Sequence, residues 1–100
     1  MLNIVKKIDG RSLLMKLDGR LDSLTAENFE NELMLDLKDV DSVTLDCKKL
    51  EYVSSAGLRV LLNLQQTLGE DDSLKLMNVN EDIMSVFGLT GFDEILQIVH

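Results

Sequence analysis

The sequence predicts an α/β fold. It is a mixed β-sheet in the order β-β-α-β-α-β-α-β, with its helices mainly on one face. Three observations predict it. Asp9-Gly10 separates two short strand-like runs and marks an opening hairpin. After "GRLDS" (Gly19 to Ser23) the apolar period changes from two to three or four, and strand-like and helix-like stretches then alternate to the end. Such alternation gives parallel strands joined by right-handed crossovers. The helical stretches are few and short, which favours cover on one face only.

Leu2 to Ile8 is a modest strand. Arg11 to Gly19 ("RSLLMKLDG") is a stronger one, with Leu13, Met15 and Leu17 on one side. Ala26, Phe29, Leu33 and Leu37 then recur at helical spacing, which predicts a helix over roughly Thr25 to Leu37. Thr25 can cap its start, and Glu27 lies in its first turn. Val43, Leu45 and Cys47 alternate with Thr44 and Asp46 in the next strand. Leu58 to Leu68 is a second helix, and Leu74 to Val79 a strand. Asn80 caps a third helix that buries Ile83, Val86 and Phe87 and stops at Gly88. Glu94 to Val99 ("EILQIV") is the last strand.

One hundred residues is the size of one compact domain, and no linker, repeat or proline divides residues 1–100. With three Phe, one Tyr and no Trp, the core must rest on Leu, Val, Ile and Met. The net charge of −8 repels phosphates and anionic lipid, so direct nucleic-acid binding is not expected. It fits either plain solubility or a protein partner with a basic docking face. Cys47 is the sole cysteine, in an alternating strand-like run with no histidine near it in sequence. That suits a small buried apolar group in a reducing compartment. "MLNIVKKIDG" lacks the apolar stretch of a signal peptide, and the apolar runs are too short to span a bilayer. A cytoplasmic protein without membrane insertion is expected.

The most informative stretch is "LEYVSSAGLRVLL", Leu50 to Leu62. On a helical wheel Leu58, Val60, Leu61, Leu62, Leu64 and Leu68 share one broad side, while Arg59, Asn63, Gln66 and Thr67 share the other. Ser54 is the natural N-cap, since its oxygen can accept from the free amides of the first turn. Ser55 then holds the first helical position and points outward. Ala56 and Gly57 keep the turn small, so that another molecule can approach the backbone. A phosphate on Ser55 would meet unpaired N–H groups and the positive end of the helix dipole. Arg59, one turn on, could add a charge-assisted contact. Both readings stand on spacing alone: a pair of capping serines, or a cap followed by a modifiable hydroxyl.

Three segments resemble the STAS domain family, and within it the single-domain anti-sigma factor antagonists. They are "LDGRLDSLTAENFENEL", with Gly19, Leu21 and Asp22; "LEYVSSAGLRVLL"; and "VFGLTGFDEILQI". The resemblance spans nearly the whole chain and implies a STAS-like sheet and a partner-switching protein. Such a protein binds a serine kinase that doubles as an anti-sigma factor. It is phosphorylated by that kinase and reset by a serine phosphatase. The resemblance places the phosphoacceptor at Ser55, with Ser54 as the alternative. Asp22 matches the family's acidic residue near it. The partner surface then comprises Asp22, Ser54, Ala56, Gly57 and Leu58, with Arg59, Asn63 and Gln66 on the outward side of the helix.

Two departures stand out. Many phosphorylated members carry Asp before the acceptor, where this chain has Ser54. The family also often continues past the last strand into another helix, so the face that helix covers is expected to be exposed or used in a homodimer.

An enzyme is not expected. The sole histidine is His100, so no Ser-His pairing suggests itself, and one Cys with one His makes no standard zinc site. No phosphate-binding glycine loop is present, and no cofactor or metal is called for. Asp18, Asp22 and Asp46 fit solvated turns or strand ends. A non-phosphorylated STAS scaffold in a larger signalling or lipid-transport complex is the alternative, and a nucleotide-binding STAS domain a third reading.

Overall fold

The computed structural model describes residues 2–69 and 73–99. Its elements are β1 (Leu2–Asp9), β2 (Ser12–Leu21), α1 (Ala26–Asp36), β3 (Ser42–Val53), α2 (Ser55–Leu68), β4 (Leu74–Met77), α3 (Glu81–Thr90), α4 (Phe92–Ile95) and β5 (Gln97–Val99). A 3-10 turn over Leu37–Asp39 extends α1. The five strands form one sheet in the order β1-β2-β3-β4-β5. β1 runs antiparallel to β2, and every other neighbouring pair is parallel. Gly10 provides the positive φ (64°) in the two-residue loop that closes the hairpin at Asp9 and Ser12.

Sequential strand order has a direct consequence. Each right-handed crossover adds its strand on the same side, so successive helices fall on the same face. Accordingly α1 packs on β2, α2 on β3 and β4, and α3 on β3. That face of the sheet is apolar and buried: Leu13, Met15 and Leu17 on β2, Val43, Leu45 and Cys47 on β3. Phe29 and Leu33 of α1, Leu61 and Leu64 of α2, and Ile83 and Phe87 of α3 close over it. The other face carries Val5, Lys16, Thr44 and Lys75 and is exposed or half-buried. At the edge, the Lys6 ammonium reaches from β1 to Glu32 (2.8 Å) and Asp36 (2.9 Å) of α1.

Three local expectations are corrected. α3 does not stop at Gly88 but runs to Thr90. The left-handed residue that ends it is Gly91 (φ 81°), and the Thr90 hydroxyl donates to the Val86 carbonyl at 2.8 Å. Glu94 and Ile95 are helical rather than extended, because the chain winds one more turn after Gly91 and the Leu96 amide donates to the Phe92 carbonyl. β4 ends at Met77, two residues early. There Asn78 adopts a left-handed φ of 59° and its side-chain amide donates to Asp46 at 3.0 Å. α2 begins at Ser55, the first helical position that a cap at Ser54 predicts.

Cys47 sits in the centre of this core, and burial, reinforced by the Asp46 carboxylate, pushes its thiol up to about 12. Because the thiolate is the nucleophile, the native protein should resist alkylation at pH 8. Iodoacetamide labelling followed by intact mass should give no adduct in buffer and one per chain in denaturant. Rapid native labelling would mean that β3 is not buried as described.

Candidate functional site

The parallel strands β2, β3 and β4 all end on the same side of the molecule, and α1, α2 and α3 all start there. In open α/β sheets this is where binding sites form, since loops leave the strand ends and helix N-termini point toward them. Three connections meet there: residues 22–25 after β2, Ser54 after β3, and residues 78–80 after β4.

Ser54 is the N-cap of α2. Its backbone is extended, and its hydroxyl oxygen accepts from the Gly57 amide at 3.4 Å. Its own amide donates to the Leu21 carbonyl at 2.8 Å, which ties the start of α2 to the end of β2. Ser54 is half-buried, whereas Ser55, first residue of the helix, is exposed. On the next turns Arg59, Asn63 and Gln66 are exposed on the outward side, as their spacing predicts. Asn63 also lines a shallow groove between α1 and α2 with Glu30, Met34, Val60 and Thr67.

The placement of Gly57 and Leu58 on the partner surface is corrected: both are buried. A Cβ built on Gly57 would lie 2.7 Å from Leu21 Cγ and 3.1 Å from the Leu21 carbonyl oxygen. The missing side chain therefore serves the seating of α2 on β2, not the approach of another molecule. Leu58 faces the core. Ala56 is half-buried and packs against the core.

Asp22 is half-buried, and its carboxylate turns toward its own loop. Oδ1 accepts from the amides of Leu24 (3.0 Å) and Thr25 (3.1 Å). Partial desolvation opposes the charge, but these two amides and the Thr25 hydroxyl together outweigh it and hold the carboxyl below its ordinary range. Thr25 occupies the N-cap position of α1 without making a capping bond. Its hydroxyl instead donates to the Arg20 carbonyl (2.8 Å) and accepts from the Asp22 amide (2.9 Å). The Arg20 guanidinium lies 4.3 Å over the Tyr52 ring and 3.8 Å from Asp22 Oδ2. On the third loop, Asn80 caps α3 by accepting from the Ile83 amide at 2.9 Å, as predicted, and donates to the Leu50 carbonyl at 3.0 Å.

Sequence reading missed Arg20, Tyr52 and Leu24. The first two meet only through the register of β2 on β3, which pairs Arg20 with Tyr52. Leu24 had a weak signal: an apolar residue one place before a helix N-cap, outside the helix's buried stripe. Its side chain is 89% exposed. Among the described residues no three His, Cys, Asp or Glu side chains are grouped closely enough to hold a metal ion, and no helix is long and apolar enough to cross a membrane. His100 lies outside the described residues.

A family model described as "Mlab, STAS domain" matches residues 4–99. The chain belongs to the STAS domain family. The Bordetella bronchiseptica protein BtrV, named as a proposed anti-sigma factor antagonist, is 38% identical to this STAS domain over 99 residues, 94% of this chain and 82% of BtrV. The crystal structure of an anti-sigma factor antagonist from Mycobacterium paratuberculosis superposes with a TM-score of 0.87 at 18% identity, over 98% of this chain and 85% of that one. The Bacillus cell fate determinant SpoIIAA in its phosphorylated form superposes with a TM-score of 0.72 at 16% identity, over 100% of this chain and 92% of that one. At such identities the two structures establish a shared fold.

Gly57→Ala tests how tightly α2 is seated. Replacing a helical glycine by alanine gains ~1 kcal/mol in propensity. Overpacking against the fully buried Leu21 costs ~1–3 kcal/mol. A net loss of ~1 kcal/mol should lower the melting temperature by roughly 4–8 °C. An unchanged or raised melting temperature would show that α2 has room to shift.

Proposed function

We propose that this STAS domain is an anti-sigma factor antagonist working by partner switching. Unphosphorylated, it binds a serine kinase that acts as an anti-sigma factor. Transfer of a phosphoryl group from ATP to Ser55 Oγ, with loss of the hydroxyl proton, separates the two. A serine phosphatase returns the hydroxyl.

The observation that carries this reading is the exposed Ser55 hydroxyl at the N-terminus of α2, in a chain 38% identical to BtrV. The helix start offers a phosphate unpaired amides and the positive end of the dipole, so the fold can accept a dianion there without rearranging. The effect of about −1.5 to −2 charges then falls on whatever is docked on that surface. Ser55 is favoured over Ser54 because the Ser54 oxygen is engaged as the helix cap. Phosphorylating Ser54 would disturb that cap.

A scaffold role without phosphorylation is the second reading. It is favoured by Ser54 standing where many phosphorylated members have Asp. The two differ in what Ser55 does.

Incubation with the cognate kinase and ATP should add one phosphate at Ser55, located by mass spectrometry. Ser55→Ala should abolish the addition. Ser55→Asp should weaken kinase binding by about tenfold or more, some 1.4 kcal/mol, with circular dichroism and melting little changed. Absence of phosphate on either serine, with Ser55→Ala silent in cells, would favour the scaffold.

A further inference from the structure

Leu24 is 89% exposed, yet its backbone is firmly held. Its amide donates to Asp22 Oδ1 at 3.0 Å, and the following Thr25 amide donates to the same oxygen at 3.1 Å. The Thr25 hydroxyl locks the turn to the Arg20 carbonyl and the Asp22 amide. Backbone bonds from Thr25 and Ala26 to the Asp22 carbonyl close it further. The fold gains little apolar burial from a leucine left 89% exposed. A partner would gain more, because an apolar side chain on a pre-ordered loop is buried on docking with little further loss of conformational entropy.

The position supports the same conclusion. Leu24 follows Leu21 by three residues, so its Cα lies within about 10 Å of that of Leu21. The Leu21 carbonyl accepts the amide of Ser54, the residue before Ser55. A protein partner covers about 800 Å² on each side, a patch broad enough to take in both Ser55 and Leu24.

We propose that Leu24 is an apolar anchor for the serine-kinase partner, and that Asp22 is a positioning residue that acts through Leu24. The inference rests on the partner-switching reading above and deepens it. It changes the part played by Asp22. A carboxylate that faced the partner would contribute by its charge, whereas this one contributes by accepting two amides and shaping the turn. Asparagine has an oxygen able to accept the same amides without the charge, and alanine has none.

The test is calorimetric titration of the full chain with its purified cognate kinase. Leu24→Ala should weaken binding about 10- to 30-fold, as loss of an interface anchor does. Asp22→Ala should do much the same, and Asp22→Asn should stay within about threefold of the unaltered protein. The double variant Asp22→Ala/Leu24→Ala should bind within about threefold of Leu24→Ala, since both changes remove one contact. Leu89→Ala is the control, because Leu89 is equally exposed but lies at the far end of α3.

Leu24→Ala within about threefold of the unaltered protein, while the latter binds and is phosphorylated at Ser55, overturns the anchor and with it the positioning role of Asp22, and leaves the partner-switching reading standing. That variant decides the matter even if Asp22→Ala folds poorly, since it touches only an exposed side chain. Asp22→Asn as weak as Asp22→Ala, with effects that add to those of Leu24→Ala, overturns the positioning role in favour of charge. An unaltered protein that neither binds the kinase nor accepts phosphate overturns the partner-switching reading and the anchor with it.

Discussion

The seating of α2 on the end of β2 is the contact on which the rest of the site depends. Gly57 has no side chain, and Leu21 fills the space one would take. The Ser54 amide reaches the Leu21 carbonyl across the same junction. Together these fix where the first turn of α2 sits and hence where the Ser55 hydroxyl emerges. They also bind that turn to the loop carrying Asp22 and Leu24. A side chain at position 57 would crowd Leu21 and press the helix start away from the strand.

The sheet makes this junction possible. Because β2 and β3 are parallel neighbours, Leu21 and Val53 end at the same level. The two chain reversals that follow are then side by side, and both lead into helices that start on the same side of the molecule. One helix start offers an exposed hydroxyl. The other is introduced by a turn whose carboxylate is held by backbone amides. Charge on the surface is therefore not a sufficient guide to role: Asp22 is acidic and half-exposed, yet its Oδ1 is taken up by two amides of its own loop.

Much of this was legible from the residues alone. The hairpin at Asp9-Gly10, the period change after Ser23 and the buried stripe of α2 lead directly to the observed order of the five strands and of α1 to α3, but not to the extra turn of α4. Caps were legible where the side chain bonds within its own helix, as for Ser54 and Asn80. They were not legible where a competing partner lies outside the helix. Thr25 looks like a cap but bonds to the end of β2 instead. Two glycines lay close enough together to stop α3, and the later one does so, because Leu89 and Thr90 continue the helix before the chain turns at Gly91. A pattern of residues gives the existence of a helix more securely than its last turn.

Periodicity and bonds between near neighbours fix the strands and the three longer helices, the apolar face of each, and a serine pair at the start of a helix, so these can be read from the residues in order. Contacts between distant segments settle the rest: that Gly57 is buried rather than offered to a partner, that Arg20 stacks on Tyr52, that the Asp22 carboxylate serves its own turn, and that Leu24 stands in water. Each of those depends on which residue of one strand or loop lies opposite which residue of another. That register is set by packing between segments distant in the chain, and no local pattern encodes it.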